Sequence, residues 1–360
     1  MRVLWNNHRD VANPGAGGDA RTIHEVSRRL VARGHQVTLL TTRMSGMPSE
    51  SEIDGVRIVR YPGNVLPHFV LPIVASSKFV PDVIVDDMSH AVPWLSPWVT
   101  SHPGIVFFRH LHARTLSGQV SPPLAGFLTA IEKRYSRLYQ RWPFVTESQR
   151  SVDDLISIGV PRDRCVRIPP GVDLQEFQPR EKYDTPTIVY FGGFRDYKRP
   201  EHAIYLLKEL LRRGWEARLV MVGGGTNLSR TERVAEGLGL SNSVQFRGRL
   251  KREHLAEVVA RSWVNIHCSV HEGWGLSIME AAAAGTPTVA YDVPGVNETV
   301  RNGSTGFLGS DLDSLVGAAE SIMASPNEWA VQCRSWASQF KWEDTTDSWE
   351  HALLMQLRSS

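Results

Sequence analysis

The chain runs through the same alternation of short apolar stretches and amphipathic segments twice. In the first half, residues 3–5, 36–42, 57–61, 82–85, 105–108 and 164–168 read as strands. Helix-like segments lie at about 19–32, closed by Arg33-Gly34, and at 124–141. The pattern restarts with strands at 187–191, 217–222, 244–247 and 263–266, and helices after Pro200, near 230–238 and at 256–261. Strands that alternate with helices of ten or more residues call for a parallel sheet covered on both faces. Two such rounds in 360 residues, 42% of them hydrophobic, exceed one ordinary core. The expected fold class is α/β, with two doubly wound, Rossmann-like lobes facing each other across a cleft. Ligands of open α/β sheets sit beyond the C-terminal ends of the strands.

Pro169-Pro170-Gly171-Val172-Asp173 ends the first round, and the polar, Pro-containing stretch to Thr185 reads as a linker. The expected domains are 1–178, an acceptor-side lobe, and 179–342. An amphipathic tail over 343–360 would pack back on the first lobe.

Charge and cysteine content exclude several classes. Residues 1–180 hold 21 Lys/Arg against 16 Asp/Glu, and residues 181–360 hold 19 against 22. That asymmetry is too mild for a nucleic-acid binder, although a basic N-terminal half suits an anionic acceptor or membrane face. Cys165, Cys268 and Cys333 are scattered and lack metal-ligand spacing, as in a reduced compartment. No run of eighteen apolar residues and no basic-then-apolar leader is present, so the expected location is the cytoplasm, extending to the inner face of a membrane.

The chemistry-bearing segments cluster in the second half. His271-Glu272-Gly273-Trp274-Gly275-Leu276-Ser277-Ile278-Met279-Glu280 runs into a small-residue helix and then a strand. Backbone N–H groups at such a helix start attract an anion, and the two bracketing acids can grip neutral hydroxyls. Gly192-Gly193-Phe194-Arg195-Asp196-Tyr197-Lys198-Arg199-Pro200 follows a strand directly. Its glycines allow a sharp turn, and Arg195 with Lys198 could converge on a diphosphate. A solvated basic loop is the competing account.

Other segments are weaker. Gly15-Ala16-Gly17-Gly18-Asp19-Ala20 matches a dinucleotide fingerprint, but a long loop separates it from the first strand. The next strand also ends Thr41-Thr42-Arg43, without the acid for a ribose. A flexible glycine loop over phosphates or acceptor is the better account. His110 and His112 follow the strand at 105–108, where cleft residues belong, and Asp86-Asp87 ends another strand. Asp311-Leu312-Asp313 has the form of a metal–diphosphate site but sits where a helix N-cap belongs, and no metal site is expected. Lys133, Arg134, Arg137 and Arg141, interleaved with Tyr135, Leu138, Tyr139 and Trp142, suit an anionic lipid surface or an ordinary half-buried helix. Pro67 and Pro72 in the apolar stretch 65–80 suit a membrane-touching segment.

Taken in order, these segments resemble a retaining family 4 glycosyltransferase (glycosyl transferases group 1) of the GT-B architecture. The resemblance rests on Gly15 to Gly18 before a helix ending Arg33-Gly34-His35-Gln36-Val37. It rests further on Ile168 to Asp173 with Phe177, on the Gly192/Arg195/Lys198 turn and on Glu272 to Glu280. Pro294-Gly295-Val296-Asn297-Glu298 and Asn302-Gly303-Ser304-Thr305-Gly306-Phe307-Leu308 complete it. It implies a nucleotide-diphosphate sugar, UDP- or GDP-linked, as donor and no cofactor. Arg195 and Lys198 would neutralise the leaving diphosphate, with backbone around Gly275, Leu276 and Ser277 assisting. Glu280 would hold the ribose and Glu272 the transferred sugar. His110 would lie under that sugar, with His112 as the alternative at that position, and Arg249-Leu250 would meet the base. Gly15, Gly17, Gly18 and Gly192 would line the donor site. The acceptor implied is a glycan or lipid-linked molecule, reached with peripheral membrane contact and without nucleic acid.

A nucleotide-sugar 2-epimerase on the same architecture is the rival enzyme, and it would act on the donor without an acceptor. A pyridoxal-type phosphorylase would need a far longer chain. A non-catalytic nucleotide-sugar-binding subunit would bind the donor without turnover.

Overall fold

A computed structural model of the chain describes residues 1–63, 78–89, 92–114 and 120–358. The membrane-touching segment expected at 65–80, with Pro67 and Pro72, lies almost wholly outside the described residues. The chain divides into two compact units, Met1–Gly171 with Trp342–Ser360, and Val172–Lys341. The division falls at Gly171/Val172, inside the Pro-Pro-Gly phrase, rather than at 178/179.

The first unit is built on an eight-stranded sheet. Its strands are β1 (Arg2–Asn6), β2 (Gln36–Arg43), β3 (Glu50–Ile53), β4 (Val56–Pro62), β5 (Val83–Met88), β6 (Gly104–Phe108), β7 (Phe144–Thr146) and β8 (Cys165–Arg167). Their order is β3-β4-β2-β1-β5-β6-β7-β8, and every pairing is parallel except β3 with β4. That exception is a hairpin absent from the sequence reading. Asp54 and Gly55, both at positive φ, form its two-residue turn between Ile53 and Val56, the geometry that Asp-Gly favours. β5 and β6 are buried along their whole length, as expected of strands covered on both faces.

The helix Gly18–Ala32 buries Ile23, Val26 and Leu30 against this sheet. The tail helix Trp342–Arg358 belongs to the same unit and buries Trp349 between Trp5 and Phe107, with ring centroids 4.9 and 4.8 Å away. Such aromatic pairs contribute about 0.5–1.5 kcal/mol beyond area burial. Residues 124–141 do not form one helix. They make Pro122–Glu132 and the short Tyr135–Leu138, because Arg134 leaves helical dihedrals at φ −107° and ψ 3°. Glu132 and Tyr135, one on each side of the break, are both buried.

The second unit carries six strands, β9 (Thr187–Gly193), β10 (Arg218–Gly224), β11 (Val244–Gly248), β12 (Val264–His267), β13 (Thr288–Tyr291) and β14 (Gly306–Gly309). They are ordered β11-β10-β9-β12-β13-β14, all parallel. The helices Glu201–Arg212 and Leu312–Met323 cover one face with Leu206, Leu210, Val316 and Ile322. Leu276–Ala283 and Arg252–Arg261 pack on the other, where four successive alanines let backbone approach backbone closely. Among the described residues no helix is long and apolar enough to cross a membrane.

Candidate functional site

The second unit gathers its charged residues beyond the C-terminal ends of β9 and β12, neighbours in the sheet. Hydrogen bonds and an ion pair stitch the turn after β9 to the turn after β12, a longer one running from Arg199 Nη2 to the Ser269 carbonyl at 3.4 Å. The Val270 N–H donates to the Tyr197 carbonyl at 2.9 Å, and Arg199 Nε donates to the Cys268 carbonyl at 2.8 Å. The ion pair is that of Lys198 Nζ with Glu272 Oε1. The two stretches singled out in the sequence, 74 residues apart, therefore meet through Lys198 and Glu272.

Glu272 is held from several sides. Its N–H donates to the Pro294 carbonyl at 3.1 Å. Gly295, at φ +84°, passes so close that a Cβ there would lie 2.1 Å from the Glu272 carbonyl oxygen. Only glycine fits that crossing. At the carboxylate, Oε1 also accepts from His267 Nε2 at 2.9 Å and from Ser269 Oγ at 2.6 Å. Burial pushes the Glu272 carboxyl up, but the Lys198 ammonium and the His267 bond outweigh it and hold it well below the usual range. Burial pulls Lys198 down, and Glu272 more than restores it, so its pKa is raised. The pair is ionised, as a phosphate-binding cation and a hydroxyl-binding acid must be.

Arg195 is exposed, its side chain lying along Gly193 and close enough for its charge to act on Lys198. Gly192 ends β9 beside β10. A Cβ at Gly223, where φ is +133°, would lie 1.9 Å from the Gly192 carbonyl oxygen, so these strand ends close only over glycine. Past Glu272, Trp274 is buried with its ring 5.2 Å from Phe340 and anchors the turn. Gly275 then caps the helix Leu276–Ala283. No side chain caps that end, and the first N–H groups of a helix have no acceptor within it. Leu276 and Ser277 are half-buried there.

Glu280, on the second turn of the same helix, is buried and paired with Arg252 at 2.8 Å. Arg252 also grips Glu176 with two bonds of 2.9 and 2.6 Å. No sequence argument singled out Arg252, Glu176, His267 or Ser269. His267 offered one clue, a polar residue at the end of an apolar strand. Arg249 is exposed and Leu250 half-buried after β11. Asp311 caps the helix Leu312–Met323 in a reciprocal capping box with Ser314. That accounts for the Asp-Leu-Asp motif without a metal.

In the first unit, the loop 7–17 is braced rather than free, a correction to the flexible loop expected. Asp10 forms a buried bidentate pair with Arg60 from β4 at 2.7 and 2.8 Å. Asn13 Oδ1 accepts from the Gly15 N–H at 2.7 Å, and Arg9 donates to the Gly15 carbonyl at 3.0 Å. Gly15, Gly17 and Gly18 all have ordinary backbone angles, and Gly17 caps the following helix without a side-chain bond.

His110 and His112 lie with ring centroids 4.7 Å apart beyond β6. His112 is buried against Glu132, which accepts from its backbone N–H at 2.6 Å and lies 3.2 Å from its Nδ1. His110 is half-buried. Asp86 binds Asn6 and Ser96 inside the sheet, and Asp87 binds Arg109.

Two Rossmann-like units, each built on a parallel or largely parallel sheet, define an α/β architecture of the GT-B class. Over 100% of both chains the fold superimposes on sucrose-phosphate synthase from Thermosynechococcus elongatus with a TM-score of 0.82 at 20% identity. Residues 16–176 match the family model for Glycosyltransferase Family 4, and residues 172–338 match that for Glycosyl transferases group 1. The chain belongs to this glycosyltransferase family. It is similar to the D-inositol 3-phosphate glycosyltransferase of Rhodococcus erythropolis, 32% identical over 56% of this chain and 50% of the relative. The chain thus spans half the length of that relative. It is also similar to a GDP-mannose-dependent alpha-(1-6)-phosphatidylinositol dimannoside mannosyltransferase of Mycobacterium tuberculosis, at 26% identity over 95% and 93% of the two chains.

Proposed function

We propose that this glycosyltransferase moves a hexosyl unit from a UDP- or GDP-linked sugar to an acceptor hydroxyl with retention of anomeric configuration. The acceptor class we assign is a glycan, glycolipid or lipid-linked oligosaccharide used in surface-glycan synthesis. The mannosyltransferase relative is named for a phosphatidylinositol dimannoside, which supports a lipid-linked acceptor here, and we place the reaction at the inner face of the membrane. The observation that carries the reading is the Lys198–Glu272 ion pair beside a helix start that no side chain caps.

Each charged group has a task in that reaction. Breaking the glycosidic bond builds positive charge on the sugar ring and negative charge on the diphosphate. Lys198 and Arg195 face the diphosphate, and the N–H groups at Gly275, Leu276 and Ser277 add donors at the positive end of the helix dipole. Preorganised donors of this kind each lower the barrier by about 3–4 kcal/mol. Glu272 accepts hydroxyls of the transferred sugar, and Glu280 accepts those of the ribose while Arg252 holds it in orientation. The base meets the backbone at Arg249 and Leu250. His110 is the histidine assigned to the sugar, since His112 is committed to Glu132. Gly15, Gly17, Gly18 and Gly192 let backbone come near the ligand. No metal or cofactor enters the proposed step.

The test is transfer from UDP-glucose and GDP-mannose to a panel of lipid-linked and soluble acceptors, with the product anomer read by NMR. Formation of the α-linked product, abolished in R195A, is the expected result. Conversion of the nucleotide sugar without acceptor would replace this reading with the epimerase. Binding without turnover across the panel would favour a partner subunit.

A further inference from the structure

We infer that His267 is a positioning residue, one that, with Ser269, fixes which oxygen of the Glu272 carboxylate meets the sugar. This rests on the nucleotide-sugar reading above and deepens it. Three protein donors converge on one atom, Glu272 Oε1: Lys198 Nζ, His267 Nε2 at 2.9 Å and Ser269 Oγ at 2.6 Å. Among the described residues none donates to Oε2, and the Glu272 side chain keeps 12% of its surface. Oε1 is thus the protein's oxygen and Oε2 the ligand's.

The chemistry of His267 follows from its neighbours. An ionised carboxylate only accepts, so Nε2 carries the proton. Nδ1, on the other side of the ring, lies 3.4 Å from Ser277 Oγ. The imidazole is buried on the last residue of β12, and links Glu272 to the first turn of the helix Leu276–Ala283. It therefore holds in one frame the acid assigned to the sugar and the helix start assigned to the diphosphate.

The arrangement matters most once a diphosphate is present. Its charge draws Lys198 away from Glu272, and a carboxylate with one partner turns readily about its last torsion, which is broad and two-fold. His267 and Ser269 remain and keep its plane fixed. Loss of His267 should then weaken recognition of the sugar while leaving recognition of the diphosphate intact.

Calorimetry tests this on the full chain, with UDP, GDP, UDP-glucose and GDP-mannose titrated into wild type, H267L, H267Q and E272Q. Steady-state transfer is measured alongside with the nucleotide sugar that binds. H267L is expected to bind the bare diphosphate as wild type does, to lose the extra affinity due to the sugar, and to lower kcat about 10- to 100-fold, as for a hydrogen bond to a charged group. H267Q, which retains an N–H donor, should recover part of both. H267L that transfers at the wild-type rate overturns the inference. So does equal loss of bare-diphosphate affinity, which marks a role in folding alone. If H267L gives no cooperative melt, S269A removes another donor to the same oxygen, and wild-type behaviour there overturns the inference. Failure of wild type to bind any nucleotide sugar, or E272Q behaving as wild type, sinks the underlying reading and the inference with it.

Discussion

Arg109 in the first unit and Lys198 in the second stand in comparable places, each beyond the end of a central parallel strand, and they have opposite fates. Arg109 is sealed. Asp87 and Glu147 grip it at 2.7 and 2.6 Å, the Asp19 carbonyl adds a longer contact, and its guanidinium lies 3.7 Å from the centre of the Phe107 ring. Only 5% of the residue is exposed. Lys198 has one carboxylate, which it shares with His267 and Ser269, and 19% of its side chain remains open. Beside it stands the exposed Arg195. A buried cation whose charge is matched by two buried acids is a structural tie, because no net charge is left over for an anion. A cation that shares its acid, at the surface of a strand-end turn, keeps charge for an incoming anion. Position in a Rossmann sheet alone does not separate the two. The count of partners does.

Four measurements sharpen that contrast. The largest effect should come from R109M, which leaves Asp87 and Glu147 buried without their cation. We expect a loss of about 3–5 kcal/mol in denaturant unfolding of the first unit. Next is K198A, for which transfer should fall about a hundred- to thousand-fold, or 3–4 kcal/mol. Its melting temperature should move far less than that of R109M. If the two variants exchanged these phenotypes, the assignment of tie and site would be reversed.

The third measurement uses pH. Burial pushes Asp86 up to about 6, against the bonds from Ser96 and Asn6. A folded pKa above the unfolded value means that this stabilisation is full below about pH 4 and lost as pH rises through 6. D86N lacks the ionisation. Its stability relative to wild type should therefore improve between pH 4 and pH 7 by on the order of 2–3 kcal/mol. Equal pH profiles would place Asp86 in a wetter setting than the sheet interior. The smallest effect should be that of R249A. This side chain is exposed, and its assigned contact is through backbone, so stability should change by less than about 0.5 kcal/mol and donor affinity should hold.

The fold class was legible because alternation depends on local pattern, which a single sequence carries. The misses have particular causes. Asp54-Gly55 is a hairpin signal, but its first strand, Glu50–Ile53, is only four residues with two exposed, too short to show a period. The break at Arg134 follows from burying Glu132 and Tyr135 on either side of it, a tertiary demand invisible in the helical pattern. In the site, Lys198 and Glu272 stood out through their motifs. His267, Arg252 and Glu176 did not, since each acts by reaching a residue on another element, and Ser269 shows its role only once its own turn brings it onto Glu272. Nothing in the sequence marks Arg109 as a tie, because its acids come from β5 and from the residue after β7.

The most direct test is a thermal melt of wild type and K198A with UDP-glucose and with GDP-mannose. One of these ligands should raise the wild-type midpoint, by a stabilisation of RT ln(1 + [L]/Kd), and leave K198A nearly unmoved. Equal shifts in both proteins, or no shift in wild type with either nucleotide sugar, would contradict the claim that the Lys198–Glu272 turn receives an activated sugar.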